Sequence, residues 1–145
     1  MNFLLDTCIL SEFTKPQPNE GLLQWMVTFS ENSFFISVLT VGELKKGIER
    51  LAQSKKKGIL EKWLENELRP RFAERTIPIN DAVALEWGKM LAENEKKGRT
   101  LPTVDSLIAA SARTFGLVLV TRNENDFKEA GIQILNPFRC NRQKG

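Results

Sequence analysis

The run Leu117-Val118-Leu119-Val120-Thr121 is apolar or β-branched at every position, with Gly116 before it and the polar stretch Arg122 to Asp126 after it. A strand with one face in water alternates polar and apolar residues; a strand covered on both faces does not. The run therefore predicts a parallel-type strand sandwiched between two layers, the situation of an α/β fold. Other segments agree: NFLLDT at the start, Phe34 to Val38, Thr76 to Ile79 and Ile132 to Leu135 are short apolar runs of the same kind.

Helix-like patterning fills the intervals between these runs. Thr7 to Thr14 is closed by Pro16 and Pro18, and Asn19 offers an N-cap for a helix carrying Leu22, Leu23, Trp25, Met26 and Phe29. Thr40 is expected to open a third helix, and Lys55 to Gly58 leads into a fourth with Leu60, Trp63, Leu64 and Leu68, limited by Pro70. Asp81 begins a long helix that stops at Lys96-Lys97-Gly98, a further helix runs from about Val104 to Phe115, and a short one reaches Gly131. Strands alternating with helices give a mainly parallel sheet of about five strands flanked by helices on both faces. At 145 residues the chain fits one domain.

Composition matters chiefly through a zero. The chain has no histidine, which excludes Ser-His-Asp and Cys-His catalysis, histidine acid-base chemistry and histidine-ligated zinc. Cys8 and Cys140 are far apart without CxxC spacing, so neither a zinc site nor a redox motif is indicated, and a reduced cytoplasm is the expected compartment. No stretch approaches the ~18 apolar residues of a membrane span, and the start has no basic n-region, so neither membrane insertion nor secretion is expected. The net charge of +3 leans mildly towards anionic partners.

In an open parallel sheet, ligands gather outside the carboxyl ends of the strands. Asp6 ends the first strand, Asp126 follows the strand that ends at Thr121, and Glu43 and Asp105 are placed in the first turns of helices. Each acid also has a purely structural explanation. Thr40-Val41-Gly42-Glu43 fits a capping box, Asp105 suits a helix macrodipole, Asp6 could cap the Thr7 helix, and Asp126 could close an Asx turn. The joint pattern favours chemistry, because acids such as Glu61, Glu65, Glu93 and Glu95 lie mid-helix, away from any strand end. Carboxylates converging on one sheet edge repel each other unless protons or a cation intervene, and a hard cation such as Mg²⁺ or Mn²⁺ suits oxygen donors.

FLLDT followed by Ser11-Glu12, SVLTVGELKKGI, PTVDSLIAASA and LVTRNENDF resemble, in order and spacing, the four signature segments of PIN-domain ribonucleases, most closely the VapC toxins, including the FitB-like group. The likeness extends from about Asn2 to Phe138, which implies a PIN-like three-layer domain over residues 1–138 and leaves a basic tail at 139–145. It implies that Asp6, Glu43, Asp105 and Asp126 form the acidic quartet, with Asp6 and Asp105 as the main metal ligands, and that Thr7, Thr121 and Asn123 position the cluster. It further implies an endoribonuclease in which carboxylate-bound Mg²⁺ or Mn²⁺ activates water, the toxin of a pair with a cognate VapB-type antitoxin. Such a toxin forms a homodimer within a larger assembly and meets operator DNA only through the antitoxin. Arg122, Lys45 and Arg99 are the candidates for holding the RNA backbone, whereas Lys46 and Arg113 read as surface charges and Trp25, Trp63 and Trp87 as packing residues.

Two other functions compete. A haloacid dehalogenase-type phosphatase also places Asp after its first strand, but it needs a second Asp two residues on, where this chain has Cys8. A non-catalytic PIN-like module could bind nucleic acid or an antitoxin without cutting anything; the retained acids argue against it.

Overall fold

The computed structural model describes residues 1–139. Cys140 and most of the expected basic tail lie outside the described residues; Arg139, at its start, pairs with Glu124 at 2.9 Å. Among the described residues five strands form one sheet, β1 (Phe3–Leu5), β2 (Phe34–Ser37), β3 (Thr76–Ile77), β4 (Val118–Val120) and β5 (Ile134–Leu135), in the order β3-β2-β1-β4-β5. Every pairing is parallel, with Leu4 opposite both Phe35 and Leu119, and Leu119 opposite Ile134.

The unbroken apolar run now has its reason. Phe3, Leu5, Val118 and Val120 face a core shared with Ile9, Leu22, Trp25, Leu44 and Leu64, while Leu4, Leu117 and Leu119 face a second core with Val83, Met90, Ile108 and Phe127. Helices α1 (Thr7–Glu12), α2 (Glu20–Met26), α3 (Val38–Glu49) and α4 (Lys55–Trp63) supply the first layer. After the short turn α5 (Arg69–Arg71), α6 (Asp81–Lys96) and α7 (Thr103–Phe115) supply the second, and α8 (Glu124–Phe127) closes the region after β4. The architecture is the three-layer PIN-like α/β fold. Ala109, Ala110 and Ala112, all buried, keep α7 slim where it meets the sheet and α6. Gly116 ends α7 in the left-handed conformation at φ 65°, the C-cap geometry that favours glycine.

Two expected boundaries are corrected. Helix α3 is capped three residues earlier than expected, by Ser37 in place of Thr40, because Ser37 at the end of β2 is extended (φ −94°, ψ 150°) and its hydroxyl accepts the Leu39 N–H at 3.0 Å. Glu43 therefore lies in the second turn of α3, and the capping box is absent. Pro70 does not limit the fourth helix. Leu64–Leu68 winds as a π turn, with the Arg69 N–H reaching back to the Leu64 carbonyl, and the changed register carries the chain through Pro70 into α5.

The tryptophans pack as expected. Trp25 sits edge-on to Phe3 at 4.9 Å within a cluster that includes Phe29 and Phe34, and Trp87 Nε1 donates to Ser106 Oγ at 2.9 Å. Trp63 is only partly buried at the edge of the first core.

Candidate active site

From β1 the chain steps to β2 and then β3 on one side; it returns to place β4 and β5 on the other. The junction of β1 and β4 is thus the switch point, where a crevice opens outside the carboxyl ends of the strands. Asp6 directly follows β1 and Thr121 directly follows β4. Their backbones extend the ladders, Asp6 N–H donating to Val120 O and Thr121 N–H to Leu135 O, both at 3.0 Å.

Asp6 does two jobs. It is the N-cap of α1, with Oδ1 accepting the Thr7 N–H at 2.9 Å, and its Oδ2 accepts the Thr121 hydroxyl at 2.8 Å. Burial pushes its carboxyl above the usual carboxylate range; the hydrogen bonds from Thr121 and Thr7 pull it back, and the Glu43 charge adds to the rise. Thr121 is fully buried and also accepts the Asn123 N–H at 3.0 Å, so one hydroxyl ties the acid after β1 to the turn after β4.

Glu43 arrives from α3. Its Oε1 accepts the Thr7 hydroxyl at 2.6 Å, so Thr7 holds Asp6 through its amide and Glu43 through its side chain. Asp105 arrives in the first turn of α7, and its carboxyl is pushed up to about 6 by burial first, then by the charges of Asp126, Asp6 and Glu43. Asp126 is exposed in α8, its N–H bonded to Asn123 O at 3.1 Å, and it lines a shallow crevice together with Asp105. Three acids from three other elements thus raise a fourth, and all four predicted carboxylates share one electrostatic neighbourhood. As arranged here, no three Asp, Glu or Cys side chains among the described residues stand close enough to grip an ion.

The basic candidates separate. The Arg122 guanidinium lies over the Phe138 ring at 5.2 Å, on the turn that carries Asn123. Lys45 pairs with Glu49 at 3.0 Å, and Arg99 is engaged by Glu129. Arg113 is committed to Glu86 at 2.8 Å, in keeping with the surface role expected of it.

Cys8 was not visible as a site residue from the sequence. Its Sγ lies 3.6 Å from Thr121 Oγ1, donates towards Asp6 Oδ2 at 3.8 Å and accepts the Arg122 N–H at 3.4 Å. Burial raises its thiol, which keeps it neutral and able to donate. Its position two residues after the first acid, inside the first turn of α1, was the available signal. Glu12 was also passed over: buried at the end of α1, it accepts the Asn19 N–H at 2.9 Å and pairs with Lys15, fixing α2 to α1.

A second concavity lies away from the acids. It is a largely apolar groove of about 580 Å³ lined by Phe13, Met26, Val27, Trp63 and Phe72, with the paired Glu31 and Arg71 among its walls. No described helix is long and apolar enough to cross a membrane.

Comparison with known proteins shows the family to which this fold belongs. The PIN domain family model matches residues 3–133. Toxin FitB of Neisseria gonorrhoeae is 33% identical over 135 residues, covering 93% of this chain and 97% of that protein. VapC ribonuclease Y4jK of Sinorhizobium fredii is 30% identical over 135 residues, covering 93% and 96%. The solved structure of FitAB bound to an IR36 DNA fragment superposes with a TM-score of 0.87 at 31% identity, covering 94% of this chain and 95% of that one. By these likenesses the chain belongs to the PIN domain family and, within it, to the VapC-type toxins.

Proposed function

We propose that the protein is a metal-dependent endoribonuclease acting as the toxin of a VapBC-type module. The observation that carries the reading is Asp105, held at about 6 by burial and by three converging carboxylates. A fold does not gather four acids at a switch point without a compensating charge, and an all-oxygen donor set without histidine or available thiolate fits Mg²⁺ or Mn²⁺. Asp6 and Asp105 would hold the ion, with Glu43 beside them and Asp126 at the exposed edge. A divalent cation bound there would neutralise the phosphodiester and activate water, with the 3′ oxygen leaving and the phosphate staying on the 5′ side.

The chain's own residues prepare this site. Thr121 and the Thr7 amide fix the two oxygens of Asp6, and the Thr7 hydroxyl fixes Glu43. Arg122, exposed beside the site, would hold a neighbouring phosphate, with Lys45 and Arg99 contributing after release from their carboxylate partners. The phosphatase alternative needs a carboxylate where Cys8 presents a neutral thiol. The choice of RNA over DNA follows the likeness to ribonucleases.

The apolar groove supports a protein partner. A cognate VapB-type antitoxin would lay an apolar segment there and would carry the pair to operator DNA, a role supported by the likeness to FitAB bound to a DNA fragment. A homodimer of the toxin would cover exposed apolar residues such as Leu85, which is 78% exposed on α6. The direct test is cleavage of RNA by purified protein with Mg²⁺ or Mn²⁺, with EDTA, and in Asp6→Asn and Asp105→Asn variants. Cleavage that needs the metal and both acids is expected; undiminished cleavage by either folded variant would overturn the reading.

A further inference from the structure

Beside the acids, α1, α3 and α4 enclose a second, smaller cleft of about 150 Å³. It opens on the site itself, because Thr7 and Glu43 are among its walls, and it continues along α1 past Ser11 to Gly47, Ile48 and Trp63. We propose that this cleft is a nucleobase subsite, holding one base of the strand next to the scissile phosphodiester and so setting where the RNA is cut. The inference rests on the ribonuclease reading and goes further by naming a specificity element.

Three observations carry it. The cleft is about half the lower end of the ~300–1,000 Å³ range usual for a whole small-molecule ligand, so it suits one ring of a polymer gripped mainly elsewhere. Its composition suits a base: an apolar floor of Ile48 and Trp63, with a hydroxyl from Ser11. Among the described residues, neither the Ser11 hydroxyl nor the Trp63 indole N–H has a hydrogen-bond partner, whereas the indole of Trp87 is satisfied by Ser106. Finally, Gly47 sits inside α3, where glycine costs the helix ~1 kcal/mol relative to alanine, and a Cβ built there meets no atom within 4 Å. A side chain added at this cleft-lining position therefore displaces no protein atom, which makes Gly47 a clean place to probe the subsite.

The test compares Gly47→Leu with Gly88→Leu, a control on α6 in the opposite layer whose Cβ likewise meets nothing within 4 Å. Short oligoribonucleotides differing at one position are titrated against metal-free protein, followed by tryptophan fluorescence, and cleavage sites are mapped with metal present. The unmodified protein should prefer one base class, and its quench should vanish in Trp63→Phe. Gly47→Leu should lose about tenfold in affinity and the base preference, the size of one lost stacking contact, while melting no lower than the unmodified protein. Gly88→Leu should match the unmodified protein. If Gly47→Leu is folded and keeps both affinity and cut sites, the subsite is wrong even though the protein is a ribonuclease. The subsite is equally wrong if Gly47→Leu weakens only a bound partner polypeptide. If the unmodified protein cuts no RNA under any metal, it is the ribonuclease reading that fails.

Discussion

The Thr121 hydroxyl donates to Asp6 Oδ2 at 2.8 Å, joining residues 115 positions apart at the point where β1 and β4 both end. The bond is buried and meets a carboxyl that burial already raises. Thr121→Val keeps the shape but leaves that carboxylate oxygen only the longer contact from the Cys8 thiol at 3.8 Å, which pushes Asp6 towards protonation. Metal affinity should fall about 10- to 100-fold, the usual effect of losing a group that orients a ligand. Thr121→Ser should restore most of it. Metal titration by calorimetry reads the effect directly; unchanged affinity in folded Thr121→Val would deny Thr121 a positioning role.

Asp105 gives a pH dependence of definite sign. Its carboxyl titrates at about 6 in the folded protein and near the ordinary value of 3.8 when unfolded, so the folded state binds more protons between those limits. Its contribution to stability is therefore greatest at low pH and is lost as pH rises from about 4 to about 6. In metal-free protein, Asp105→Asn should melt higher than the parent above pH 6, and the gap should close as pH falls towards 4. Other carboxylates, among them Glu12 and Glu31, are lowered and act in the opposite sense, so the difference between the two melting curves is the quantity to measure. Added Mg²⁺ should stabilise the parent and leave the variant nearly unchanged. A variant that melts lower at every pH would refute the repulsion.

Much of this was legible in the residues, and the losses have physical causes. The apolar run at 117–121 declared a strand covered on both faces, and Gly98 and Gly116 marked helix ends through the positive φ they adopt. Strand order was not legible, since nothing local tells β4 to lie beside β1 rather than β3. The start of α3 was not legible either, because Ser37 and Thr40 are both N-cap types; only the end of β2 decides which hydroxyl meets free amides. Lys45 next to Glu49 was readable as an i,i+4 pair, whereas Arg99 with Glu129 required the tertiary fold.

The corrected start of α3 separates two roles that the sequence had merged at Glu43. Ser37→Ala removes the true cap and should cost about 0.5–2 kcal/mol of stability. Glu43→Gln removes no cap, so its stability should stay within about 0.5 kcal/mol of the parent. Its RNA cleavage should nevertheless fall by about 10- to 100-fold, the usual effect of losing a carboxylate that supports a metal site. Denaturant melts and cleavage rates on the same preparations decide it. A large stability loss in Glu43→Gln would return Glu43 to a structural role.

The apolar groove predicts a separation between activity and neutralisation. Val27 is 83% exposed yet lines the groove, so a charge there should cost the free toxin almost nothing. In a complex the same charge would be buried without a partner, a penalty of several kcal/mol in real interfaces. Val27→Asp should therefore cut RNA at the parental rate, while the antitoxin binds it at least about 100-fold more weakly and no longer arrests cleavage. Phe72 lines the same groove but is buried in the core, so changing it would confuse stability with binding. Equal inhibition of parent and Val27→Asp by the antitoxin would place the partner on another surface.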